Sequence, residues 1–238
     1  GARSGGLSVA AGAVQMGATV VLIEKGEMGG DCLNTGCVPS KSLLTAAKAA
    51  QGVRDAGRFG IGAAPPAVDF ARVRGHVARV IAAIAPHDSQ ERFERLGVRV
   101  IRTHGRFTAP DRVEAGGIAV LARRFVVATG SRAAVPPIDG LEAAPFLTNE
   151  TVFGNPDLPA HLVVIGGGPI GLEMAQAHRR LGARVSVLEA ATLLPRDEPE
   201  HVALLKARLE EEGISIREHA AITRVERRAG GIVAHLAD

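Results

Sequence analysis

Apolar and polar positions along this chain follow one phrase that occurs twice. Gly17-Ala18-Thr19-Val20-Val21-Leu22-Ile23-Glu24 and Gly182-Ala183-Arg184-Val185-Ser186-Val187-Leu188-Glu189 lie 165 residues apart and share a plan: a glycine turn, a strand-forming apolar run, then an acid. Each follows a glycine cluster and a stretch of small residues that reads as a helix, Leu7 to Met16 in the first copy and Leu172 to Leu181 in the second. Leu162-Val163-Val164-Ile165 precedes the second cluster and reads as a strand, whereas the first copy opens on its glycines at Gly1, with its leading strand missing. Between the copies, Asp69 is placed to cap a helix with Val73, Val77, Val80, Ile81 and Ile84 on one face. Pro86 ends or kinks it, and Asp88 to Leu96 resumes a helix. Val98 to Phe107, Arg112 to Ala115 and Ile118 to Leu121 read as an antiparallel meander, turning at Pro110-Asp111 and Gly116-Gly117. Phe125-Val126-Val127-Ala128-Thr129-Gly130 reads as a buried strand ending in a small-residue turn, and Pro136, Pro137, Pro145, Pro156 and Pro159 mark a linker.

The fold class expected from this order is α/β: two Rossmann-like dinucleotide-binding units with a small antiparallel meander, truncated at both ends. The boundary is expected between Thr148 and Leu158, giving one domain at 1–150 and an incomplete one at 151–238. A chain of 238 residues, 46% hydrophobic and 22% charged, can bury one or two cores. Its 28 Lys and Arg against 25 Asp and Glu are interspersed, so the net charge of +3 points to neither a nucleic-acid nor a membrane partner. No apolar run reaches membrane length and no signal peptide is visible, which together read as a cytoplasmic protein.

The second glycine loop is complete. Gly166-Gly167-Gly168-Pro169-Ile170-Gly171 follows a strand and opens a helix, and Glu189 lies 23 residues past Gly166. Each part has work to do on a dinucleotide: Gly166 makes the tight turn, Gly168 lets backbone approach the pyrophosphate, Gly171 packs the helix close, and Glu189 accepts from ribose hydroxyls. Glu189 would repel a 2′-phosphate, so NADH is favoured over NADPH, while Arg196 keeps NADPH open. The first loop, Gly1-Ala2-Arg3-Ser4-Gly5-Gly6, keeps Gly1, Gly6 and Glu24 but has Arg3 in the middle position. A Cβ there stands where backbone must touch phosphate, and weakened binding is expected.

Cys32 and Cys37 are the only cysteines, set in Gly29-Gly30-Asp31-Cys32-Leu33-Asn34-Thr35-Gly36-Cys37-Val38-Pro39-Ser40-Lys41. Pro39 and the residues after it read as the start of a helix whose unpaired amides, with Lys41, favour a thiolate at Cys37. The short loop with Gly36 suits a pair that closes a disulfide and reopens it. Two cysteines alone do not make a closed zinc site, so no metal centre is expected.

Four ordered motifs together resemble the flavin-dependent pyridine nucleotide-disulfide oxidoreductases, in their dihydrolipoamide dehydrogenase and mercuric reductase branch. They are the glycine loop running to Glu24, the Gly30 to Lys41 cysteine segment, Ala128-Thr129-Gly130-Ser131-Arg132, and Gly166 to Glu173. The resemblance implies FAD on the first unit and NAD(P)H on the second, with hydride passing through flavin to a Cys32–Cys37 disulfide. It implies that Cys37 lies nearest the flavin and that Cys32 is the exposed thiol exchanging with substrate. It also implies that Lys41 and Glu173 pair beside the flavin ring, and that Gly29, Gly30, Gly105, Thr129 and Gly130 approach FAD through backbone. The acceptor implied is a small-molecule disulfide or a thiophilic metal ion, and a homodimer is implied only for the full-length family member. The family's His-Glu acid/base pair has no counterpart here, which leaves a second expectation: a nucleotide-binding fragment without turnover.

Overall fold

The computed structural model describes residues 1–237. By contact the chain divides into two compact units, one made of residues 1–39 and 77–133 and the other of residues 40–76 and 134–238.

In the first unit, helix α1 (Ser4–Gln15) leads to strand β1 (Val20–Ile23), and a short helix α2 (Gly30–Asn34) precedes α3 (Cys37–Asp55), which belongs to the second unit from Ser40 on. Helix α4 (Phe70–Ile84) begins where Asp69 Oδ1 accepts from the Arg72 N–H at 3.0 Å, and Pro86 lies just past its end. Ser89 caps α5 (Gln90–Arg95), its hydroxyl accepting from the Arg92 N–H. Strand β2 (Val98–Ile101) then pairs with β1 in parallel, Val20 opposite Val98 and Ile23 opposite Ile101. Ala2, Leu7, Ala10, Leu22, Met28, Phe93 and Val98 form one buried cluster, so α1 and α5 both pack on this parallel pair. The meander starts later than its sequence suggests: β3 (Gly105–Ala109), β4 (Arg112–Ala115) and β5 (Ile118–Leu121) form a separate three-stranded antiparallel sheet. Val98 to Phe107 is therefore two strands in two sheets. The helix α5 before Val98 feeds it into a crossover, and parallel neighbours need such a connection.

Phe125 to Gly130 is not a buried strand. It carries no ladder, and Val126 and Val127 are 59% and 71% exposed. Gly1 itself lies close enough to Ala128 that a Cβ on Gly1 would collide with the Ala128 carbonyl.

In the second unit, β6 (His161–Ile165), α6 (Pro169–Leu181) and β7 (Arg184–Leu188) make the predicted strand, helix and strand. Helix α7 (Pro199–Glu211) returns the chain to β8 (Ile214–Arg217), and the parallel sheet runs β6-β7-β8. Its core is Leu172, Ala175, Ala183, Val185, Val187, Leu193, Leu209 and Ile214, drawn from α6, α7, β7, β8 and the segments between them. A hairpin, β9 (Ile222–Arg228) with β10 (Gly231–Leu236), completes the described residues. Among those residues no helix is long and apolar enough to cross a membrane.

Candidate functional site

The two glycine loops share a sequence register, Gly1, Gly6 and Glu24 matching Gly166, Gly171 and Glu189. In the second unit Gly166 turns with φ +106°, and a Cβ on Gly171 would fall inside the Gly166 carbonyl. In the first unit a Cβ on Gly6 would fall inside the Gly1 carbonyl. Both outer glycines are thus required by the closeness of helix and turn, as the spacing predicts. At Gly168, the cap of α6, a Cβ would meet nothing within 4 Å, so the backbone there is open to a ligand at a helix N-terminus.

The acids are pinned in the same way. Glu189 accepts from the Gly167 N–H at 2.6 Å and the Ala191 N–H at 2.8 Å. Glu24 accepts from the Ala2 N–H at 2.5 Å and the Gly26 N–H at 2.6 Å. Burial would raise the Glu24 pKa, but these two amides outweigh it and hold the carboxyl below its ordinary value. Both carboxylates are therefore held in a fixed orientation by backbone amides.

The middle position separates the copies. Arg3, the counterpart of Gly168, extends its stem along Gly30 and Gly130, where an added Cβ would collide with it. Its guanidinium pairs with Asp31 and donates to the Ser131 carbonyl at 3.0 Å. Gly29 and Gly30, with φ of +84° and +57°, carry the chain around this point into α2. Thr129 and Gly130 are exposed at the end of the unladdered segment. Gly105 sits in β3 with the Ile23 and Val113 side chains 3.2 and 3.3 Å from where its Cβ would be, which is a packing requirement.

Cys32 lies on α2 and Cys37 begins α3, and the Cys32 thiol is hydrogen-bonded to Cys37 and to Ser4. Asn34 fixes this segment, its amide donating to the Met28 and Gly30 carbonyls at 3.0 and 2.9 Å. Cys37 is exposed and Cys32 half-buried. The hydrogen bond to Cys37, then burial, push the Cys32 thiol above its ordinary pKa of 9.0, so it is protonated at neutral pH. Replacing Cys37 by Ala removes the larger cause, and the pH midpoint for Cys32 alkylation is expected to fall, by iodoacetamide labelling read on its peptide; an unchanged midpoint contradicts this. Sequence reasoning did not single out Asp31, Ser4 or Asn34, whose partners depend on how the chain folds back on itself.

In the second unit Lys41, on α3, and Glu173, on α6, form an ion pair with Nζ and Oε1 2.6 Å apart. Both ends are partly solvated, so the pair contributes little to stability. Among the described residues no group of three or more His, Cys, Asp or Glu is arranged to hold a metal.

A family profile described as pyridine nucleotide-disulphide oxidoreductase matches residues 1–238. The chain belongs to that family. Within the family it is 36% identical to a mercuric reductase from Streptomyces lividans, over 99% of this chain and 51% of that protein. It is 32% identical to a dihydrolipoyl dehydrogenase from Thermus scotoductus, over 98% of this chain and 50% of that protein. The fold matches the HOCl-induced flavoprotein disulfide reductase RclA from Escherichia coli with a TM-score of 0.85 and 25% identity, over 99% of this chain and 52% of that one. This member of the pyridine nucleotide-disulphide oxidoreductases spans about half the length of the curated relatives it matches.

Proposed function

We propose that this chain passes reducing equivalents from a reduced nicotinamide dinucleotide through FAD to the Cys32/Cys37 pair, and from there to a small-molecule disulfide or a thiophilic metal ion. The observation that carries the reading is the duplicated carboxylate-and-amide geometry at Glu24 and Glu189, which prepares two ribose sites in one chain that also brings two thiols into contact.

The second unit fits a nicotinamide dinucleotide as it stands. Gly168 leaves the N-terminus of α6 open to a diphosphate, and Glu189 is oriented toward ribose hydroxyls. A carboxylate at that position favours NADH. The first unit fits FAD at the turn of Gly1 and Gly6 and at Glu24, while its diphosphate cradle between Gly30 and Gly130 is filled by Arg3. FAD, when bound, supplies an acceptor for hydride and a donor of the electron pair to the disulfide. Lys41 and Glu173, held together, are the proposed pair that sets the charge beside its ring.

At the sulfurs the balance is simple. Hydride carries two electrons and one proton, and reducing one disulfide to two thiols takes two electrons and two protons, so the second proton comes from water. Cys37, exposed at the start of α3, and Cys32, protonated at neutral pH, are the two products. The pair can then attack an external disulfide or hold a soft metal ion between two sulfurs.

Anaerobic NADH added to the oxidised, FAD-loaded protein is expected to release two thiols per chain, both mapping to Cys32 and Cys37. No thiol release, or thiols that map to an added carrier instead, would refute the assignment. The seat of Arg3 favours a second reading, a nucleotide-binding unit without turnover, which predicts that NADH protects the chain from proteolysis while FAD is never taken up.

A further inference from the structure

The duplicated loop contains its own control, because Arg3 and Gly168 occupy the same register position. At Gly168 the space beyond the backbone is open for 4 Å. At Arg3 the equivalent space holds a side chain, threaded along two glycines of positive φ, Gly30 at +57° and Gly130 at +74°. That side chain is anchored at its tip by the Asp31 carboxylate and the Ser131 carbonyl.

We propose that Arg3 is a resident occupant of the first unit's diphosphate cradle, latched by Asp31 and the Ser131 carbonyl, and that it limits how tightly this unit takes a dinucleotide. The inference rests on the flavin reading and concerns the one position that distinguishes the two loops.

An arginine beside a phosphate is ordinarily an attraction. Two features turn this one into a competitor. The first is steric: Cβ and Cγ of the Arg3 stem lie against Gly30, and Cδ with the guanidinium Nε and Cζ lies against Gly130, so the space beside two glycines of positive φ is already filled. The second is electrostatic: the guanidinium is already matched by Asp31, so the latched cradle offers an incoming dianion no net positive charge. A diphosphate that displaces Arg3 also meets the Asp31 carboxylate it has uncovered. Opening the cradle thus requires breaking the latch and then tolerating a like charge, and removing both residues should relieve both costs.

The test is FAD binding by quenching of flavin fluorescence, in the unaltered protein and in Arg3→Gly, Asp31→Asn and the double variant. The double variant is expected to bind FAD at least tenfold more tightly than the unaltered protein. Arg3→Gly should fall between them, and Asp31→Asn, which leaves the stem but removes its anchor, should tighten binding severalfold. NADH affinity in the same samples is expected to stay constant, reporting that the second unit is folded. FAD affinity that is unchanged or weaker in all three variants overturns the proposal, since Arg3 would then be neutral or a phosphate ligand. If no form binds FAD while all bind NADH, the flavin reading falls together with it.

Discussion

A Cys37→Ser protein is expected to lose NADH-driven disulfide reduction entirely while keeping its affinity for NADH. Thiol–disulfide exchange needs two sulfurs: one attacks, and the other expels the mixed disulfide that results. The Cys32 thiol is hydrogen-bonded to Cys37, and these are the only two cysteines in the chain, so no third sulfur can take over. A serine oxygen preserves the size and a hydrogen bond but forms no disulfide. The loss should therefore appear as zero thiols released on NADH addition, measured beside an unchanged NADH titration. Release of even one thiol equivalent from Cys32 in this variant would mean the pair is not the redox centre. The separation of the two readouts matters, because Glu189 and Gly168 belong to the second unit and Cys37 to the first.

The largest expected loss of stability comes from Glu212, at the end of α7. Its side chain is 2% exposed, its two oxygens accept from Arg180 at 2.7 and 2.6 Å, and Arg208 Nε forms an ion pair with it at 3.0 Å. Gln176 adds a hydrogen bond at 3.3 Å. This carboxylate ties α6 to α7 on the far side of the nucleotide loop, and Arg180 is itself 15% exposed. Removing one member of a buried ion pair leaves its partner's charge desolvated and unmatched, which costs about 3–5 kcal/mol. Glu212→Ala is expected to lose roughly that amount, against a total of about 5–15 kcal/mol for a typical domain. Urea unfolding with an unchanged slope would measure it. A loss of less than about 1 kcal/mol would place the pair among solvent-screened surface bridges instead.

The nucleotide half of this architecture was readable from residues because each position answers to backbone geometry. Gly6 and Gly171 are glycine because a Cβ would strike the carbonyl five residues before, Gly166 turns at φ +106°, and Glu24 and Glu189 accept from amides two positions on and in the loop before them. Such local requirements leave a signature in spacing. Val98 to Ile101 left none that could decide its sheet: a short apolar run serves equally as a meander strand or as the parallel partner of β1, and only the packing of α5 selects between them. The run from Phe125 to Ala128 has the composition of a buried strand, but composition does not supply a neighbour to ladder with. The latch on Arg3 was equally hidden, because Asp31 and Ser131 reach it from 28 and 128 residues away. The exposure of Cys37 and the partial burial of Cys32 follow from α2, a five-residue helix where the glycines suggested only a loop.

Glu24 and Glu189, the acids proposed to meet ribose, each hold one amide N–H on each carboxylate oxygen. A side chain clamped at two points has little rotational freedom left to surrender, so when a sugar docks, the ordering falls on the ligand and hardly at all on the receptor. On the proposed reading, such a site would discriminate by the shape and charge of the sugar edge, as ready for its first nucleotide as for its thousandth.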